Sequence, residues 1–346
     1  MAVLAVVTSS PQGVEGGHLV IARALVAAAQ ASGHDAHLVV TADFGFGHQA
    51  RTYLANWNTD VRTIAGRTVD QVISLRYPSY AVRHPHHVCW INHTMREYYD
   101  LWPQFAASIS WRGRLKEGAR RRAHHIADGW LLRRNVNRVL AQSHTIAARL
   151  STELDINAEV LHPPAPLTGY RFDGYGDYIF AVSRLTPLKR IDLLVGALAD
   201  PAAQHVKAVI AGDGESRAAL EALAARLGVA DRVTFTGHID NRTMFTHLAR
   251  CRAVCFAPFD EDYGLVTAEA FSSRKAVVTC RDSGGPTELV ADEETGLVCE
   301  PTAASMAMAL ARLTDDAALA ERLGTRAAAQ AATMTWAAAI RRLVIV

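Results

Sequence analysis

Leu161-His162-Pro163-Pro164-Ala165-Pro166-Leu167-Thr168-Gly169-Tyr170 sets three prolines in four positions near the middle of a 346-residue chain. A proline ring supplies no amide hydrogen and clashes with the turn before it, so this stretch continues neither a helix nor an interior strand. The domain boundary is placed here, with an N-terminal domain over residues 1–165 and a second domain over 166–333. The length is right for two domains at roughly 150 residues each.

Outward from the prolines, short β-branched runs alternate with longer stretches of helical spacing, the signature of parallel strands joined by helical crossovers. On the N-terminal side the strand candidates are Val3–Val7, His37–Thr41, Val72–Leu75, Val88–Ile91 and Val139–Gln142, with helices over Leu19–Ala31 and the heavily charged Leu115–Leu132. On the C-terminal side they are Tyr178–Val182, Val206–Ala211, Val233–Phe235, Ala253–Ala257 and Ala276–Thr279, each followed by a helical stretch. The expected fold class is α/β: two Rossmann-like doubly wound domains that present the carboxyl ends of their strands across a cleft, where ligands of open sheets bind.

Composition removes several function classes. Half of the residues are hydrophobic and 20% are charged, which excludes collagen-like, low-complexity and disulfide-scaffold chains. Thirty-six basic against 34 acidic residues leave +2, too even a balance for a general nucleic-acid binder. The cysteines, at 89, 251, 255, 280 and 299, form no C-x-x-C pair, and their number is odd, which fits a reducing cytoplasmic compartment. Met1–Val7 is apolar but has no basic residues before it, so it reads as a first strand and not as a signal peptide. No apolar run reaches the roughly 18 residues of a membrane span. Contact with a membrane is therefore expected to be peripheral, at the inner face.

Gly13-Val14-Glu15-Gly16-Gly17-His18 follows the first strand and opens a helix, where the amides of Gly16 and Gly17 can meet an anion. The spacing is not G-x-G-x-x-G, and Gly212-Asp213-Gly214 also fails because Arg217 stands at the third glycine position. A nicotinamide or flavin fingerprint is absent, and a plain strand-to-helix turn remains the competing reading. Val182-Ser183-Arg184-Leu185-Thr186-Pro187-Leu188-Lys189-Arg190 is sharper. Arg184 ends the first strand of the second domain, and Pro187 bends the chain so that Lys189 turns back to the same place. Two fixed cations there can neutralise a diphosphate; the alternative is a solvated basic turn.

Phe259-Asp260-Glu261-Asp262-Tyr263-Gly264-Leu265-Val266-Thr267-Ala268-Glu269-Ala270 supplies the acids. Glu261 lies in a loop leaving a strand, and Gly264 lets the chain turn tightly into a helix that carries Glu269 just over one turn in. One carboxylate can meet sugar hydroxyls, the amides of Gly264, Leu265 and Val266 can face phosphate, and the second carboxylate can hold a ribose diol. Asp260-Glu261-Asp262 also matches a D-x-D metal-binding pattern. Such a site would belong to a single nucleotide-binding sheet early in the chain, whereas this one lies late, in the second α/β domain, and metal-independent chemistry is expected.

Glu261 and Glu269 with seven residues between them, Arg184 and Lys189 upstream, and Ser283-Gly284-Gly285-Pro286-Thr287-Glu288-Leu289-Val290 downstream together resemble the family 4 glycosyltransferases of the GT-B fold. The likeness is strong over about 177–300 and weaker in the first half, through Gly16-Gly17, His93 and Val139-Leu140-Ala141-Gln142-Ser143. It implies a retaining transfer of a hexose from a nucleotide-diphosphate sugar, a UDP-sugar first and GDP-mannose second, with no cofactor. It further implies that Glu261 contacts the donor sugar, Glu269 the ribose, Arg184 and Lys189 the diphosphate, and that His93 lies beside the transferred sugar. Ile239 and Tyr263 join the donor-binding set. Residues 334–346 are expected to form a helix returning towards the N-terminal domain.

The acceptor is expected to be a hydroxyl of a glycan, glycolipid or small molecule, chosen by the first domain. Between Arg112 and Arg138 nine Lys or Arg residues stand against Glu117 and Asp128. A helix so charged suits anionic headgroups or a phosphorylated acceptor, and equally a solvated face. Trp57, Tyr77, Tyr80, Tyr98, Tyr99 and Trp102 are either sugar-stacking surfaces or core. His84-Pro85-His86-His87 has no standard metal spacing and reads as loop; Cys251 and Cys255 read as small apolar packing groups. Two other functions fit the same cleft: a GT-B-like epimerase or phosphorylase, and a nucleotide-sugar binding protein without catalysis.

Overall fold

Val3–Ser10 is buried at every position, as a strand must be when parallel neighbours lie on both edges and helices cover both faces. In the computed structural model, which describes residues 1–11, 13 and 16–346, this strand pairs with Asp35–Ala42 on one side and Gln71–Ser74 on the other. The sheet continues through His87–Ile91 and Arg138–Ala141 to Glu159–Val160, all parallel. The chain divides into two units, Met1–Pro166 with Thr335–Val346, and Leu167–Met334.

Within the first unit, the helix Trp336–Leu343 buries Ala339, Ile340 and Leu343. The Gln71 amide donates to the Leu343 carbonyl at 2.7 Å and accepts from the Ile345 amide at 2.8 Å. The Trp336 indole donates to the Ala165 carbonyl at 3.1 Å. These bonds are distant in sequence, so the proline stretch and the last helix are held by one unit although about 170 residues separate them.

The second unit is a six-stranded parallel sheet in the spatial order Val233–Gly237, Lys207–Ala211, Tyr178–Val182, Ala253–Cys255, Val277–Cys280, Gly296–Cys299. Strand order reverses between Tyr178–Val182 and Ala253–Cys255. That is the topological switch point, and the loops leaving those two strands diverge to leave a crevice at their carboxyl ends. Gly212, at φ +124°, sits against this point; a Cβ there would stand 1.8 Å from the Ser183 carbonyl oxygen. The Gly-Asp-Gly turn that fails as a dinucleotide fingerprint thus serves the close approach of two strand-end loops.

The strands read from periodicity all occur, Tyr178–Val182 with the same ends and the others with shifted ones. Gly296–Cys299 and Glu159–Val160 are additional. Both close a sheet at its edge, and Glu159–Val160, at two residues, is too short for alternation to register. A two-stranded hairpin, Thr63–Ile64 with Arg67–Thr68, is likewise below that threshold.

Candidate functional site

At the carboxyl end of Tyr178–Val182 the chain runs into a single 3-10 turn, Pro187–Lys189, followed by Arg190 in the left-handed region at φ 48°. The turn brings the Lys189 ammonium to 2.6 Å from Glu261 Oε2, in an ion pair whose side chains are only 15% and 19% exposed. Two residues read from separate motifs, 72 positions apart, therefore meet directly. Arg184, two residues past the end of the strand, is exposed.

Sequence reading missed Arg190. Its guanidinium makes a bidentate pair with Asp282 at 2.7 and 2.8 Å and donates to the carbonyls of Ala257 and Pro258, each at 2.8 Å. A planar fork with five donors is the group able to satisfy a carboxylate and two carbonyls together. It fastens three strand-end loops. Beside it, the Phe259 amide donates to the Leu188 carbonyl at 2.8 Å, and Glu261 bridges Ser283 and Gly285 through its own N–H and C=O at 2.9 and 2.8 Å. Glu261 is thereby fixed at the backbone as well as at the carboxylate.

Gly264, at φ +82°, starts the helix Leu265–Ser272 with no side-chain cap. A Cβ at Gly264 would lie 2.7 Å from the Phe256 ring and 2.9 Å from Pro286. The amides of Leu265 and Val266 open the helix, where no intrahelical acceptor exists, and so are donors on offer. Tyr263 is buried beside them and Ile239 is half-buried after the strand Val233–Gly237.

Glu269 lies inside that helix, 8% exposed. The Tyr170 hydroxyl donates to its Oε1 at 3.0 Å. Burial pushes the Glu269 carboxyl up to about 7, and the Tyr170 hydrogen bond holds it lower than burial alone would. Burial, and then the Glu269 charge, raise the Tyr170 hydroxyl above its ordinary range. Tyr170 closes the proline stretch, in a part of the sequence with no motif, so nothing in the sequence signalled it.

In the first unit, His93 follows the strand His87–Ile91, half-buried, with its carbonyl accepting from the Tyr77 amide at 3.1 Å. Gly16 is extended and precedes the helix Gly17–Ala31; Val14 and Glu15 of the same motif lie outside the described residues. Of the two readings open for Tyr77, Tyr80, Tyr98 and Tyr99, the core one holds: all four are buried core residues. Three tyrosine hydroxyls converge on Asp128: those of Tyr80 and Tyr99 at 2.5 and 2.6 Å, and that of Tyr53. His87 opens a strand and is buried, its Nε2 2.8 Å from Ser74 Oγ, and burial lowers its imidazole to about 3. Cys251 and Cys255 are buried, and burial pushes the Cys251 thiol up to about 12.

Residues 170–330 match the model of the glycosyl transferases group 1 family. An α-D-kanosaminyltransferase of Streptomyces kanamyceticus is 32% identical over 153 residues, 43% of this chain and 39% of that protein. A D-inositol 3-phosphate glycosyltransferase of Nocardia farcinica is 33% identical over 201 residues, 52% of this chain and 44% of that protein. The chain thus matches under half the length of either relative. Sucrose-phosphate synthase of Thermosynechococcus elongatus superposes with a TM-score of 0.78 at 18% identity, over 98% of each chain. Anabaena HepE, solved with UDP and glucose, gives 0.70 at 16% identity, again over 98% of each. The fold is that of these proteins, GT-B.

Proposed function

We propose, from the match of residues 170–330 to the group 1 glycosyl transferases, that the chain transfers a hexose from a nucleotide-diphosphate sugar to a hydroxyl acceptor, with retention of anomeric configuration. One observation carries this reading. At the switch point of one parallel sheet the Lys189–Glu261 pair stands beside the helix that opens at Gly264 and holds buried Glu269.

A lysine ammonium has three donors. One is taken by Glu261, which leaves others for a diphosphate oxygen, while Arg184 and the amides of Leu265 and Val266 supply further positive potential. Glu261 accepts from sugar hydroxyls and Glu269, when ionised, from the ribose diol. In the transfer, the bond from the anomeric carbon to the phosphate oxygen breaks and the electron pair leaves with the diphosphate. The acceptor oxygen bonds to the same face, and its proton passes to a phosphate oxygen. The protein's share is preorganised charge that stabilises the departing diphosphate. No resident metal or cofactor has a part in this scheme. For His93 the proposal is a role in transfer, measured by the turnover of His93→Ala.

A UDP-sugar is the first choice of donor, supported by the UDP bound in the HepE structure; GDP-mannose is the second. The acceptor is a hydroxyl of a glycan, glycolipid or small molecule. The enzyme works in the cytoplasm, with the basic stretch 112–138 against an anionic membrane surface. The test is a panel of nucleotide sugars scored by nucleotide release, with and without acceptor and chelator. Acceptor-dependent release that survives chelation is expected. Release of no nucleotide from any donor, with donor binding intact, would replace this reading by a binding protein; interconversion of the sugar without acceptor would replace it by an epimerase.

A further inference from the structure

The helix Trp111–Asn135 keeps four large apolar side chains in solvent: Trp111 at 61%, Leu115 at 68%, Ile126 at 66% and Trp130 at 50% exposure. At about 100° per residue they fall within a sector about 100° wide, and their span of 19 residues is about 28 Å long. Exposed Arg112, Lys116, Arg122, Arg133 and Arg134 fall in or beside the same sector. The helix has two acids, and both face inward. Glu117 is 8% exposed and accepts from Tyr98; Asp128 is fully buried among tyrosines. The outward face is therefore cationic and apolar with no counter-charge of its own. Arg122, Arg133, Arg134, Ile126 and Trp130 also line an open groove of about 1110 Å³ between this helix and the end of His144–Leu154, whose far wall carries Glu153, paired with Arg121 at 2.8 Å, and Asp155.

We propose that this face is a docking surface for an anionic phospholipid bilayer, with the Trp111, Leu115, Ile126 and Trp130 side chains entering the headgroup boundary and the flanking cations pairing with lipid phosphates. It deepens, and rests on, the assignment of residues 112–138 to a membrane surface. The physical discriminator is the apolar row. A surface that only attracts polyanions has no use for two half-exposed indoles and two aliphatic side chains, whereas an interfacial helix buries them while its arginines stay at the phosphates.

The test is flotation of the full chain with vesicles of phosphatidylcholine alone or with about one-third phosphatidylglycerol, alongside tryptophan emission and a soluble polyanion, heparin. Wild type is expected to bind the anionic vesicles at least about tenfold better than the neutral ones, with a blue shift of emission. Trp111→Ser/Leu115→Ser/Ile126→Ser is expected to lose about tenfold in vesicle binding while keeping heparin binding; Arg112→Gln/Lys116→Gln/Arg122→Gln is expected to lose both. Absence of binding, equal binding to neutral vesicles, or anionic binding that the apolar triple leaves unchanged would each overturn the proposal. UDP binding and nucleotide release from a soluble donor, measured without vesicles, report folding of the variants and separate failure of docking from failure of the transferase reading.

Discussion

Tyr170→Phe removes one oxygen, and its effect can be worked from the geometry. Glu269 is buried, burial raises its carboxyl to about 7, and the 3.0 Å bond from Tyr170 holds it down. A hydrogen bond to a charged group is worth about 1.5 to 3 kcal/mol. Losing it from the ionised form moves the midpoint up by at least about one pH unit. At pH 7 the ionised fraction of Glu269 then falls from about one-half to about one-tenth, and donor affinity drops about fivefold. The gap closes above about pH 9, where both forms are ionised.

The stability of the unliganded chain carries the opposite sign. A carboxyl raised from its ordinary 4.5 to about 7 binds more protons folded than unfolded. Its contribution is complete below about pH 4.5 and is lost as pH rises through about 7, a total of about 3 kcal/mol. Glu269→Gln should flatten both dependences. The assay is titration calorimetry of UDP from pH 5.5 to 9 on wild type, Tyr170→Phe and Glu269→Gln. Identical pH midpoints in wild type and Tyr170→Phe would refute the reasoning, because the hydrogen bond would then not bear on the protonation state.

Three other substitutions probe the same crevice. Arg184→Ala and Glu261→Ala should each lower turnover by about a hundredfold or more in a nucleotide-release assay, as loss of a transition-state contact does; near-normal rates in both would remove the mechanism. Gly264→Ala adds a Cβ at φ +82°, 2.7 Å from the Phe256 ring. Left-handed strain plus overpacking should cost about 3 kcal/mol, seen as a fall of roughly 6 to 12 °C in Tm. Arg190→Lys keeps the charge but not the fork on Asp282, Ala257 and Pro258, and should weaken UDP binding by about tenfold, read by calorimetry, as the loops loosen.

What could be read from the chain divides by range. Alternation of β-branched and helical runs is a local property, so the parallel sheets were legible. Gly264 and the E-x7-E spacing were legible for the same reason: a turn and the helix after it lie within a dozen residues. The amino-acid order alone determined an α/β chain in two parts, with cations and acids gathered at the strand ends of the second. Tertiary structure alone decided the partners. Lys189 bonds Glu261 across 72 positions, Arg190 reaches Asp282 across 92, and Tyr170 reaches Glu269 across 99. The charged helix was visible as composition, but its division into an inward face with both acids and an outward face with none was not, because that depends on which side the tyrosines of the first unit cover. Hydrogen bonds and desolvation act over about 3 Å of space, and strand order at the switch point, not chain distance, sets which side chains come that close.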